Sequence, residues 1–512
     1  MLNLVGIEFS GTINEKVTNY QGRGPFVVKS RKLLVVCLSV LIYCVPAALA
    51  LLGPAAYWDG GVLGDETTYF ITQYTAERPT LHKIFDPQKN DGGAYQAREL
   101  SYFFDYLDAK FYFFILSRSG RVLFIPLSAF TSSLLLVLIF ALGARRTTDN
   151  VDTITGVLLL TCFLSSFVFV STMGLFYRSG KPLVAATVLA YLFHVRAVYK
   201  KRIGKPDPRH ARLVTIDGVI ALSLASFAGL LDRQGAFYVF VACVVLFVHY
   251  GLTRQLRDVL ISTCAAAVFL QMYNVVFAPL LIRTLNGYWP DFWLQEFSLS
   301  TIRRFPIELA RALKMLLENT AVLFGGFQSV GLSVLAVVAV LLSRRIFQMA
   351  VGEGRWLRLL NHLRDNPGVR TFAYFLLVFG FQVVMFALMI EKHPPTYHLD
   401  HRYHYLTMPY LAVVLFASLL LLDASIPQIP PKSRRLVSVL LIMLAASNML
   451  SLNHYRDIMK NGDYYGPVLA QSDLLKTSLR SGVPDPRLDT DYRLFFDYNQ
   501  RLSRRMRASD GK

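Results

Sequence analysis

The feature that most constrains this chain is a recurrence. Apolar runs return repeatedly between residues 33 and 452, each long enough to cross a hydrocarbon layer of roughly 30 Å at about 1.5 Å of helix rise per residue. Lipid offers no hydrogen-bond partners, so a crossing segment must satisfy its own backbone, as a helix does. The runs predict eleven helical spans, near residues 33–52, 122–144, 156–176, 182–199, 213–231, 236–252, 259–282, 320–343, 371–390, 406–424 and 436–452. The expected fold is therefore an all-α polytopic membrane protein with a lead over 1–32, a transmembrane domain over 33–452 and a tail over 453–512. A composition of 54% hydrophobic and 17% charged residues rules out a water-soluble chain of 512 residues.

The net charge of +19 points to the same architecture. A nucleic-acid partner would need a basic face on a soluble domain. Here the cations cluster in alternate connections, at Arg145 and Arg146, Lys200 to Arg202, Arg344 and Arg345, and Arg434 and Arg435. By the positive-inside rule these connections are cytoplasmic, as is the N-terminus, and the tail lies outside. In a bacterium this would be a multi-pass protein of the plasma membrane. The first apolar run ends at the small residues Ala48 to Ala50, yet its length and polar lead fit an uncleaved anchor better than a signal core. All five cysteines fall inside apolar runs, so no disulfide framework is expected.

The outer connections are uneven, and the long ones, 53–121 and 283–319, are where chemistry is expected. The first holds Asp59, Asp65, Glu66, Glu77, Asp86, Asp91, Glu99, Asp105 and Asp108. Glu77, Asp86 and Asp91 read as ordinary solvated charges. Asp65 and Glu66, in GDETTYF (64–70), follow the first span closely. A nearby bilayer lowers the local dielectric and could hold one carboxylate as a general base, with a turn or helix cap as the alternative. The segment 98–116, RELSYFFDYLDAKFYFFIL, reads as an amphipathic interfacial helix with Asp105 and Asp108 one turn apart.

The acidic pair Asp65 and Glu66, followed by Tyr69 in the first outer loop, resembles the signature of the GT-C superfamily of membrane glycosyltransferases. The likeness is greatest to the branch of protein O-mannosyltransferases and lipid A aminoarabinose transferases, and it extends to the layout of one span, a long acidic outer loop and many further spans. The resemblance implies inverting transfer of a sugar from a polyprenyl phosphate to a hydroxyl of a lipid, glycan or protein acceptor on the outer face. Asp65 would be the base, and Glu66 would orient the acceptor or help bind a cation. Asp59, Tyr69, Asp105, Asp108 and Tyr403 would contact substrate. Thr67 and Thr68 follow Glu66 where those branches carry a small-plus-basic or His-containing pair, so neither sugar nor acceptor is specified.

A departing lipid phosphate needs a cation, and arginine binds phosphate oxygens in pairs. Arg402, in HLDHRYHYLTMPYL (398–411), resembles the late-span arginine of the aminoarabinose-transferase branch; interfacial snorkelling is its bland alternative. Arg233 sits in the tight connection Asp232 to Gly235, where sealing a turn is the alternative. Arg98 and Lys392 are further candidates, whereas Arg178 and Lys181 read as topological charges. His398, His401 and His404 could present imidazoles to a divalent metal, the only cofactor the sequence suggests, or could simply hydrogen-bond a phosphate or water. Asp489, Thr490 and Asp491 form a DxD without the α/β domain that motif needs. Asp217 and Arg196 lie near a basic connection and read as snorkelling charges.

Two other classes compete. An O-antigen ligase or polymerase would carry its major outer loop late in the chain. A transporter or lipid flippase would be expected to show charged or broken spans and an internal repeat, and neither is read in the hydropathy pattern.

Overall fold

The structure is a computed structural model that describes residues 37–44, 84–86, 94–95, 98–119, 127–174, 180–202, 215–253, 255–292, 299–350, 367–390, 407–462 and 465–510. Asp59, Asp65, Glu66 and Tyr69, and Lys392, His398, His401, Arg402, Tyr403 and His404, lie outside these described residues.

The described chain is helical, as predicted. Helix α1 (Glu99–Ser119) belongs to the first long connection. Helix α2 (Leu127–Thr147) follows and pairs extensively with α5 (Gly180–Arg202). Between them come α3 (Thr153–Leu164) and α4 (Phe167–Gly174). A layer of α6 (Ile216–Leu231), α7 (Arg233–Thr253) and α8 (Arg257–Met272) packs beside α5. Helix α9 (Ala278–Asn286) continues α8 through a π turn at Tyr273–Phe277. The wide turn lies just before Pro279, which has no N–H to give an ordinary helical bond. Helices α10 (Leu299–Gly325), α11 (Gln328–Ala350), α12 (Pro367–Ile390), α13 (Met408–Ser425) and α14 (Pro431–Asn461) complete the bundle. The tail forms α15 (Tyr465–Ser481) and α16 (Thr490–Asp510).

The main core is aromatic and aliphatic, with Phe193 of α5 wedged between Phe140 of α2 and Phe416 of α13 at centroid distances of 6.0 and 5.1 Å. The outer surface is also apolar, with Phe247 69%, Val340 66% and Leu450 73% exposed. Such a surface suits hydrocarbon surroundings, not water. Among the described residues five helices are long and apolar enough to cross a membrane, or six if one bent pair counts as a single span. The other predicted spans are represented by shorter apolar helices or fall on residues outside the description.

Two predicted spans are broken, a correction to the continuous runs read from hydropathy. The run 156–176 divides into α3 and α4 at Ser165 and Ser166, whose hydroxyls turn back to the carbonyls of Thr161 (2.8 Å) and Phe163 (2.7 Å). The run 320–343 is interrupted where α10 meets α11 at an angle of 93°. Gly326 makes the corner with φ of 69°, a backbone conformation costly for other residues. Any side chain at Gly331 would strike the Ala321 carbonyl, so the two helices can fold so closely only with glycine there. Both breaks meet at α14. Asn448 Nδ2 donates to the carbonyls of Cys162 (2.7 Å) and Leu323 (2.9 Å), and Ser447 Oγ donates to that of Gly325.

The ends of the bundle differ. At one end Arg202 of α5 bridges Asp258 of α8 (2.6 Å) and Asp217 of α6 (2.7 Å), so Asp217 is paired rather than merely snorkelling. The two long connections meet at the other end. Strand β1 (Ala94–Tyr95) pairs in parallel with β2 (Asp291–Phe292), in register Ala94 with Asp291. Beside it the Tyr288 hydroxyl donates to Asp86 (2.6 Å) and Asn286 to the Phe85 carbonyl (2.7 Å).

Candidate functional site

Helix α1 lies across the loop-bearing end of the bundle. One side meets the ends of α2, α5 and α6. The other is covered by the tail, where Tyr102, Ala109 and Tyr112 pack with Leu475, Leu488, Tyr492, Phe495 and Phe496. The interfacial helix read from the sequence is thus a buried roof, because α15 and α16 occupy its second face.

Under this roof charged side chains are buried. Lys181, at the start of α5, is 3% exposed, and Asp232, between α6 and α7, is 7% exposed. Their side chains approach to 2.6 Å. Lys181 also donates to Gln234 Oε1 (3.3 Å), and Asp232 accepts the Gln234 backbone N–H (2.9 Å), which caps α7. Burial alone would raise the Asp232 pKa. The Lys181 ammonium, the Gln234 N–H and the nearby Arg98 guanidinium more than offset that and hold the carboxyl below the usual range.

Arg98 is buried and lies over its own helical neighbour Tyr102, donating from Nε to the hydroxyl at 2.7 Å. Its position one residue before α1 brings it to the Lys181 and Asp232 pair, as Gly180 allows: a side chain there would collide with the Ser101 hydroxyl. Glu99 lies near Tyr273 at the π turn. Asp105 is buried on the same helix. Asp108 is fully buried, and its carboxylate accepts from the Ser128 N–H (2.8 Å) and hydroxyl (2.9 Å), so it caps α2. Arg233 is exposed at the first turn of α7.

One turn deeper on α7, the Tyr238 hydroxyl donates to Gln382 of α12 (2.9 Å). Beside it Thr320 of α10 donates to the Tyr410 hydroxyl of α13 (3.3 Å). Polar groups thus descend from the charged cluster into the bundle between four helices.

Of the candidates read from sequence, the structure places Arg98 near the Lys181 and Asp232 pair, while Asp105 and Asp108 are buried on α1 itself, Asp108 as the cap of α2. Lys181, Gln234 and Asp232, read as topological or turn residues, make up the rest of that cluster. Their only sequence signal was the shortness of the turns that carry them. Among the described residues no group of three or more His, Cys, Asp or Glu is placed to hold a metal. The DxD is a helix start: Asp491 lies in the first turn of α16, and the Asp489 carbonyl accepts from Arg493 (2.9 Å). Compared with known proteins, the chain matches no family model, no curated protein and no solved structure.

Proposed function

We propose that this chain is a membrane glycosyltransferase that moves a sugar from a polyprenyl phosphate to an acceptor hydroxyl at the loop-bearing end. The observation that carries the reading is the gathering there of the first long connection, the second long connection and the tail over buried Arg98, Lys181 and Asp232. An enzyme handling a lipid-borne phosphate needs cations close to the membrane surface and a roof that limits water. In the proposed reaction Asp65 takes the acceptor proton as the hydroxyl attacks the anomeric carbon, and Arg402 stabilises the departing phosphate. Arg98 and Lys181 add positive potential beneath the roof, partly balanced by Asp232.

Purified protein incubated with a panel of polyprenyl phosphate sugars should consume one of them, and consumption of none overturns the reading. Asp65→Asn should abolish transfer while the protein stays folded and membrane-inserted; retained turnover removes Asp65 from the role of base. Arg402→Ala should raise the KM for donor more than that for acceptor, and equal effects would leave Arg402 a surface anchor.

The broken helices favour a second reading, a transporter or lipid flippase, since such proteins use discontinuous spans. Yet the carbonyls at these breaks are taken up by Asn448, Ser447, Ser165 and Ser166. Loaded vesicles distinguish the two: solute or lipid movement without sugar transfer would favour transport.

A further inference from the structure

Below the polar descent the bundle is not filled. A cavity of about 150 Å³ lies between α5, α6, α7, α12 and α13. The helix faces that carry Lys181 and Gln234 continue into its wall, as Leu192 and Val195 on α5 and as Tyr238, Ala242 and Val245 on α7. Leu192, Val195, Ala242 and Val245 are half-buried, so the cavity opens toward the outside of the bundle.

Its chemistry is sorted by position. Of the three tyrosines in its wall, Tyr191 bonds Thr263 (2.8 Å) and Tyr238 bonds Gln382 through their hydroxyls, and the Tyr199 ring lies beside Arg196. The interior therefore offers hydrocarbon contact, and apolar cavities of this size stay dry. Among the described residues, Arg196 is the one charged group in the wall. It is half-buried, with its guanidinium 5.8 Å from the Tyr199 ring centroid. Arg196 precedes Arg202 by six residues, roughly 9 Å along α5. It therefore stands near the end of the bundle marked by Arg202, Asp217 and Asp258, opposite the candidate site.

From this arrangement we infer a lipid site: the crevice takes one acyl chain of an anionic phospholipid, with the lipid phosphate against Arg196. The membrane supplies such a molecule at the right depth, and a guanidinium at a crevice mouth recognises a phosphate diester through charge-assisted hydrogen bonds. The site is remote from the proposed transfer chemistry and does not rest on it.

The full chain is reconstituted in phosphatidylcholine vesicles containing phosphatidylglycerol with a diazirine in one acyl chain, irradiated, and mapped by peptide mass spectrometry. Adducts are expected on the α5 and α7 segments that line the cavity, competed by plain phosphatidylglycerol but not by added phosphatidylcholine. Ala242→Phe, which fills the cavity, should remove them while leaving labelling at the exposed Phe240 and Phe247 as an internal sign of a folded, lipid-embedded protein. Should that variant lose this background labelling, Ala417→Leu on the opposite wall serves in its place. Arg196→Gln should reduce the preference for phosphatidylglycerol by about tenfold. Labelling confined to lipid-facing residues overturns the proposal, as does equal competition by phosphatidylcholine. Displacement by a polyprenyl phosphate but not by phosphatidylglycerol overturns it too, reassigning the cavity to the donor's tail. Because no step depends on sugar transfer, loss of the transferase reading leaves the result interpretable.

Discussion

Lys181 has almost none of its surface exposed, and Asp232 is its ion-pair partner there. Removing one partner of a buried pair strands the other in a poor dielectric, which costs about 3–5 kcal/mol. Asp232→Asn should therefore lower the thermal midpoint markedly, and the double variant Lys181→Met, Asp232→Asn should recover part of the loss. The pair also has a pH signature. Because the folded Asp232 pKa lies below the ordinary value of about 3.9, its contribution is present above that value and lost as pH falls through the folded one. The stability gap between wild type and Asp232→Asn should thus be flat near neutrality and shrink in acid; a gap that widens in acid contradicts the assignment. Little of this pair was legible beforehand. Asp232 read correctly as a turn residue, but its approach to Lys181 joins residues 51 positions apart in the chain, and hydropathy carries no information on which helix ends adjoin.

At the scale of helices, what held from sequence and what did not have the same cause. Apolar runs locate α2, α5, α13 and α14 well because each is a single helix facing lipid or core along its whole length. The same runs pass straight over Ser165 and Ser166 and over Gly325 and Gly326, since serine and glycine barely change a hydropathy average. Both pairs are nonetheless the residues at which helices break, so a signal existed in residue type. The breaks persist because Asn448 satisfies a carbonyl from each. Asn448→Leu keeps the volume but leaves two buried acceptors bare, at about 1–3 kcal/mol each. A lower thermal midpoint with unchanged helix content by circular dichroism is expected. A midpoint within error of wild type would show that water or another side chain takes over both carbonyls.

For the whole molecule, the decisive relation is between α1 and the tail, which share one apolar cluster although more than 350 residues separate them. Two segments that pack together in water-facing regions must lie on one side of the bilayer, and α2 then carries the chain to the other side. Hydropathy and basic clusters led to the expectation of a tail outside, through the parity of eleven crossings, but they carried no sign that the tail would pack on α1. Single cysteines make the relation testable after the native five are replaced: Leu107→Cys on α1, Arg493→Cys on α16 and Arg146→Cys at the far end of α2, all at exposed positions. In sealed vesicles of known orientation, an impermeant maleimide should reach 107 and 493 from one side and 146 from the other. If 107 and 493 react from opposite sides, the tail cannot cover α1. The apolar face of α1 that carries Tyr102, Ala109 and Tyr112 would then meet solvent, and the second layer of the roof over the proposed transfer chemistry would be lost with it.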